Sequence, residues 1–294
     1  MTKYSLNISR KIDSFTVNLY ESIHNVAKDK GIPFFVAGAT AREMILLHSY
    51  NINTGTATKD IDFGIKVSNW SEFDQLKQGL LDTGVFTEDE KIKHRLYYKK
   101  ALPLDLVPFG RIASKSNIIA WPPNDDVKMN ILGFEEAHEH ALWVQLRDDP
   151  VLNIPFASIA GLALMKIISW NDGYTGNTND IEKRRKNDSH DLAFFMTTYI
   201  DAGNKERFYD DTSLQEGVDY DYINGSARLL GRDIADISKS LSLTTIFDIL
   251  DRECDGTLSS ALVEDIIRHK GESRNYDTIF STLLSLKQGL NEKK

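Results

Sequence analysis

Cysteine occurs once, at Cys254, so no disulfide can close within the chain, and the sequence reads as one kept in a reducing compartment. Nor does any apolar run approach the roughly 18 residues that a bilayer-spanning helix requires. The opening MTKYSLNISRKIDSF is too polar for a secretory signal, so a cytoplasmic location with no membrane partner is expected. Positive charge is also short: 35 Lys and Arg stand against 43 Asp and Glu, a formal charge of −8 that argues against broad electrostatic capture of nucleic acid. Only local basic patches remain, KIKHRLYYKK at 91–100 and KRRK at 183–186, and either can equally be a solvated face. His94, His138, His140 and His190 lack the spacing to cysteine that a zinc site needs. Repeats, heptads and low-complexity tracts are missing as well.

What is present is a chain of 294 residues, 41% hydrophobic and 27% charged, long enough to bury a sizeable core and to divide in two. Between 12 and 28, Phe15, Val17, Leu19, Ile23 and Val26 recur at helical spacing until Gly31-Ile32-Pro33 stops them. Residues 33–37 form a short apolar run suited to a buried strand, and Gly38 turns it into a helix over 41–49. After a polar loop at 50–58, KDIDFGIKV at 59–67 alternates as a strand does, and 70–81 is helical again. Strands are expected at 94–100 and 102–108, joined tightly, with weaker ones at 127–132 and 141–146 and a helical turn between them. From 156 onward the pattern is helical, over 158–170, 188–200, 219–238, 243–251, 259–269 and 276–286. Residues 171–186, rich in Gly, Asn, Thr and charge, read as a mobile loop between two helices. The expected fold is α+β: a mixed sheet with flanking helices over 1–154, then a mostly helical region over 155–294.

Asp60 and Asp62 stand two apart in an alternating stretch, so both side chains leave one face while Ile61 and Phe63 enter the other. Like charges that close repel unless cations lie between them, and hard Mg²⁺ (or Mn²⁺) with oxygen ligands is the usual solution. Asp105 is embedded in Leu102-Pro103-Leu104-Asp105-Leu106-Val107-Pro108, where a buried acid needs either a basic partner or a metal. Three carboxylates on neighbouring strands can hold two metal ions about 3.5–4 Å apart, as nucleotidyl transfer requires. Some 20 residues before Asp60, the Gly38-Ala39-Thr40 turn offers backbone N–H groups, a hydroxyl and a helix start to phosphates, though a glycine there can also be a plain turn.

Gly38-Ala39-Thr40, a helix, Asp60-Ile61-Asp62 and then Asp105 in a strand resemble, in order and in residue type, the DNA polymerase β-like nucleotidyltransferase superfamily. Within it the chain is similar to the AbiEii-type nucleotidyltransferases, the toxin halves of bacterial toxin–antitoxin and phage-resistance pairs. Those proteins follow the catalytic half with a helix carrying a lysine, then a helix opening on Asp-x-x-Asp-Leu; here Lys166 lies in SIAGLALMKIISW, and Asp188-Ser189-His190-Asp191-Leu192 follows. The resemblance covers residues 30 to 200. Ala39 stands where the family's second small turn residue is Gly or Ser, and Asn187 stands where a basic residue precedes the Asp-x-x-Asp.

The resemblance implies a polymerase β-like core, an NTP substrate with Gly38, Ala39, Thr40, Arg42, Lys166 and Asp188 around it, and Mg²⁺ or Mn²⁺ on Asp60, Asp62 and Asp105. Asp105 would orient the acceptor hydroxyl and Lys166 would neutralise the triphosphate. The acceptor expected of such a toxin is RNA, in particular a tRNA end, or a protein, with a cognate antitoxin as a further partner. Two alternatives stand beside this: a small-molecule enzyme of the antibiotic nucleotidyltransferase kind, and a catalytically silent binding protein of the same fold. Individual residues also have plainer readings. Lys166 can be a lysine reaching solvent from an apolar helix face, Arg42 an exposed arginine, and Asp188 and Asp191 ion-pair partners of Arg184, Arg185 or Lys186. Trp121-Pro122-Pro123 and Trp170 can stack a base or simply pack.

Overall fold

In the computed structural model, which describes residues 5–55, 60–123, 127–174, 179–214, 221–268 and 275–292, the chain divides into two compact units, Met1–Ser158 and Ile159–Lys294. The first begins with strand β1 (Ser5–Asn7) and helix α1 (Ser14–Asp29), which starts where the Asp13 carboxylate accepts from the Thr16 backbone N–H at 3.0 Å. Strand β2 (Phe34–Ala37), entirely buried, runs into α2 (Gly38–Glu43), and the helix expected to reach residue 49 widens to π-helical turns at Met44–Ser49. That segment buries Met44, Ile45 and Leu46 in succession, a wider arc than one α-helical face presents. Then come β3 (Ile61–Lys66), α3 (Trp70–Asp82), β4 (Phe86–Glu88), β5 (Arg95–Tyr98), β6 (Leu102–Phe109), β7 (Ile118–Ala120), β8 (Lys128–Asn130), α4 (Phe134–Glu139), β9 (Leu142–Arg147) and β10 (Leu152–Phe156). Residues 56–59, which include the expected start of the strand at Lys59, lie outside the described residues.

Eight of these strands form one mixed sheet in the order β1-β9-β10-β2-β3-β6-β5-β4, and β7 pairs with β8 apart from it. Alternation assigns the two faces of its middle. Ile61, Phe63, Ile65, Leu104 and Leu106 are buried together on one face, where Tyr20 of α1 lies 6.0 Å from the Phe63 ring and 5.6 Å from Phe156. On the other face Phe35 and Phe109 meet in edge contact at 5.5 Å and pack against Phe134 and His138 of α4. Lys66 closes an ion pair on Glu135 of α4 from this same side. The aromatic end of that face is therefore covered, and Asp62 and Asp105 lie at its other end, toward the start of α2.

The second unit is helical: α5 (Ile159–Tyr174), α6 (Asn179–Thr198), α7 (Lys205–Asp210), α8 (Tyr222–Ile237), α9 (Ser240–Glu253), α10 (Ala261–Arg268) and α11 (Tyr276–Asn291). Its core gathers around the fully buried Trp170, whose indole N–H donates to Asp265 at 2.9 Å, while Arg185 pairs with the same carboxylate at 2.8 Å. This corrects the loop expected at 171–186, because α5 runs through Tyr174 and α6 starts at Asn179. Lys186 pairs with Glu182 at 2.6 Å along the helix, and Arg185 is claimed by Asp265 across 80 residues, a long-range partner invisible to local composition. Residues 175–178, and the expected helix ends at 219 and 269, lie outside the described residues. Cys254 is buried, and burial pushes its thiol up to about 11, which keeps it protonated at neutral pH. No helix among the described residues is long and apolar enough to cross a membrane.

Candidate active site

Ladder register, rather than side-chain packing, brings the acids together. β3 is antiparallel to β2 and parallel to β6, so Asp62 faces Ala37 on one side and Asp105 on the other. Residues opposite one another in neighbouring strands project from the same face, and Asp60, two residues before Asp62, belongs to that face too. β5 then lays Arg95 opposite Asp105. Four charged groups thus meet at one end of one face, beside buried Leu, Ile, Val and Phe of the same strands.

The glycine turn lies directly against them. Gly38 has φ +65, and a Cβ placed there would come within 1.9 Å of Asp62 Oδ2, so the main chain of the turn touches the carboxylate in a way only glycine permits. Ala39 follows without strain. The Thr40 hydroxyl, expected to face phosphate, donates to the Asp60 carbonyl at 3.1 Å and so braces the turn to the start of β3. Arg42 is only 4% exposed, which removes the reading of an ordinary surface arginine.

Arg95 organises the charge. Its Nε donates to Asp105 Oδ1 and one terminal nitrogen to Oδ2, both at 2.7 Å, and that same nitrogen reaches Asp60 Oδ2 at 3.3 Å. Hydrogen bonding to Asp105 drives the guanidinium's pKa above its usual value, against the opposing effect of burial. Next to it, burial pushes the His94 imidazole below its ordinary range, so the ring is neutral at pH 7, with Nε2 at 4.0 Å from Asp105 Oδ2. Three carboxylates on one face are a hard-oxygen donor set, and in chemistry they fit Mg²⁺ or Mn²⁺. In the arrangement seen, no three His, Cys, Asp or Glu side chains among the described residues are converged as a metal-binding group, and Arg95 supplies the positive charge between Asp60 and Asp105.

A second charged cluster sits within the helical unit. Lys166 of α5 places its ammonium 2.7 Å from Asp188 and 2.9 Å from Asp191, one turn apart on α6. Burial opposes the charge, but the two carboxylates outweigh it and raise the lysine's pKa. Ser169 adds a 2.8 Å hydrogen bond to Asp188. Lys166 is therefore held in an ion-pair cluster rather than simply reaching into solvent, and both aspartates pair with it. In the basic run before them Arg184 donates to Ser169, Arg185 pairs with Asp265 and Lys186 pairs with Glu182.

Sequence reasoning does not single out Arg95, which falls within a basic patch, and considers His94 only there and as an unsupported zinc ligand. The one available signal was an arginine in a strand expected to hairpin onto the Asp105 strand, where register decides whether the two meet.

A mixed sheet that gathers these acids beside a glycine turn, followed by a helical region, is the frame of a nucleotidyltransferase. The model of the family described as "Nucleotidyl transferase AbiEii toxin, Type IV TA system" matches residues 25–281, and the chain belongs to that family. No curated protein matches the chain. Among solved structures it is similar to the crystal structure of ANT(2")-Ia in complex with adenylyl-2"-tobramycin, at 13% identity over 66% of this chain and 99% of that one, with a TM-score of 0.35. It is also similar to a complex structure of a CCA-adding enzyme with CTP, at 10% identity over 97% of this chain and 83% of that one, with a TM-score of 0.25. The assignment rests on the family model. Transfer of a nucleoside monophosphate from an NTP is accordingly this chain's class of reaction.

Proposed function

We propose that the protein is a divalent-metal-dependent nucleotidyltransferase that places NMP on the end of an RNA and acts as the toxin of a toxin–antitoxin pair. The observation that carries the reading is the register match of Asp62 with Asp105 on one face, with Asp60 beside them and the Gly38 turn against the Asp62 carboxylate. In the reaction an acceptor hydroxyl oxygen bonds to the α-phosphorus, the bond from that phosphorus to the bridging oxygen breaks, pyrophosphate leaves and the hydroxyl proton is lost. Asp60, Asp62 and Asp105 are the residues that would hold Mg²⁺ or Mn²⁺, which when bound neutralises phosphate charge and makes the acceptor hydroxyl more acidic. Asp105 orients that hydroxyl, and backbone N–H groups of Gly38, Ala39 and Thr40 receive phosphate oxygens. Lys166, with Asp188, enters the reading through the family's lysine and Asp-x-x-Asp motifs as a group on which NTP affinity depends.

RNA is favoured as acceptor by a cavity of about 400 Å³ lined by Lys91, Lys93, His94, Trp121, Pro122 and Pro123. Its two lysines supply positive charge for phosphates, Trp121 packs beneath on Trp70, Phe73 and His94, and His94 lies 4.0 Å from Asp105. The test is incubation of the purified protein with each labelled NTP, Mg²⁺ or Mn²⁺, and either total cell RNA or RNA-free lysate. Label is expected on RNA, and expected to vanish with Asp60→Ala, with Asp62→Ala and with EDTA. Label on a protein or an aminated small molecule would replace the acceptor, and undiminished transfer by Asp62→Ala would reject the site.

A further inference from the structure

Asp105 holds both of its carboxylate oxygens against Arg95, at 2.7 Å each, and Asp60 offers an oxygen to the same guanidinium at 3.3 Å. These are among the oxygens that the proposed metal would need. The pair is also largely shielded, with 14% of the Asp105 side chain and 23% of the Arg95 side chain exposed, so the interaction is weakly screened by solvent. Register keeps the two within reach: Arg95 and Asp105 are cross-strand neighbours on β5 and β6, so the pair parts only by rotation of the Arg95 side chain and not by movement of a loop.

Resting on the metal-dependent reading above, we propose that Arg95 is a built-in counterion occupying the cation place between Asp60 and Asp105, and that a hard divalent ion enters only as the guanidinium withdraws. Without it, Asp105 would lose the guanidinium that engages both of its oxygens on a face it shares with Asp60 and Asp62. With it, the oxygens of Asp105 and one of Asp60 are engaged by a cation, and the apo site resists a bare metal ion. A triphosphate changes the balance, because it brings anionic oxygens that a planar guanidinium binds in the same forked manner as a carboxylate. The exchange therefore couples metal entry to the arrival of nucleotide, and Arg95 governs how the site is assembled.

The test is Mn²⁺ binding to the full chain without nucleotide, followed by the loss of the free-ion electron paramagnetic resonance signal. Arg95→Ala is expected to tighten Mn²⁺ by about tenfold or more, the equivalent of one charge-assisted bidentate contact. Arg95→Lys, which keeps the charge but loses the fork, should fall between the two. In the same series Mn²⁺ should raise the melting temperature of Arg95→Ala more than that of the unaltered protein. An affinity that is unchanged or weaker in folded Arg95→Ala overturns the proposal, and if that variant does not fold, the same outcome in Arg95→Lys does so. Asp105→Asn keeps the two claims apart. Mn²⁺ binding that survives this change removes the metal reading itself, whereas binding lost in Asp105→Asn but indifferent to Arg95 removes only the counterion.

Discussion

Replacing Gly38 by alanine asks the site a quantitative question. The new Cβ would stand 1.9 Å from Asp62 Oδ2, whereas ordinary contact begins at 3.4 Å, so the carboxylate or the turn must yield by the difference, 1.5 Å. A displacement of about 1 Å in a positioned group costs on the order of a hundredfold in rate, so Gly38→Ala should lower NMP transfer by about that factor or more. The backbone adds its own cost: φ is +65, and an L-residue held in that region loses about 1–2 kcal/mol. Gly31 provides the control, because it has the same φ of +65 with nothing within 4 Å of its would-be Cβ. Gly31→Ala should therefore show the strain alone, about 1 kcal/mol by urea denaturation, with transfer unchanged. The assay is initial rate with labelled NTP alongside the denaturation curve of each variant. If Gly38→Ala transferred as fast as Gly31→Ala, the claim that the turn abuts a working carboxylate would be wrong.

Asp60→Ala and Asp62→Ala should each abolish metal-dependent transfer while circular dichroism stays native, since neither side chain belongs to the apolar face that holds β3 in place; an unfolded variant would contradict that division of faces. Lys166→Ala leaves two nearly buried carboxylates facing each other and should destabilise the protein by about 3 kcal/mol; it should also weaken NTP binding, and calorimetry with unchanged affinity would confine Lys166 to a structural part. The pH dependence of its contribution follows from sign: the folded pKa is raised, so the stabilisation is complete below the ordinary lysine range and fades only as pH climbs through the folded value, and chemical denaturation between pH 7 and pH 10 should find it undiminished. Asp13 behaves oppositely. Bonding to Thr16 lowers its pKa, so its support of α1 is complete above the ordinary aspartate range and is lost as pH falls through the lowered value; Asp13→Ala should cost about 1 kcal/mol at pH 7 and nothing at strongly acid pH.

The acids were legible in the sequence because they interrupt strand patterns: Asp60 and Asp62 alternate with Ile61 and Phe63, and Asp105 breaks an apolar run. Their partner Arg95 was not, since its meaning depends on which residue of β6 it faces, and pairing offset is not written into either strand alone. β10 escaped notice for a related reason. Its short run Leu152–Phe156 carries Pro155 and leads straight into α5, so local pattern assigns the stretch no strand, while the sheet recruits it through β9 and β2. The error at 171–186 has the same origin in reverse: charged residues that look like a solvated loop become helix once Asp265 claims Arg185.

Because Asp62 and Asp105 are spaced by main-chain hydrogen bonds in the interior of an eight-stranded sheet, their separation is insulated from drift in side chains around them. Only unzipping β3 from β6 can part them. Amides from Asp62 to Ile65 should consequently rank among the slowest to exchange with deuterium, and the surrounding loops remain free to diverge toward new acceptors while the chemistry at the centre keeps its geometry.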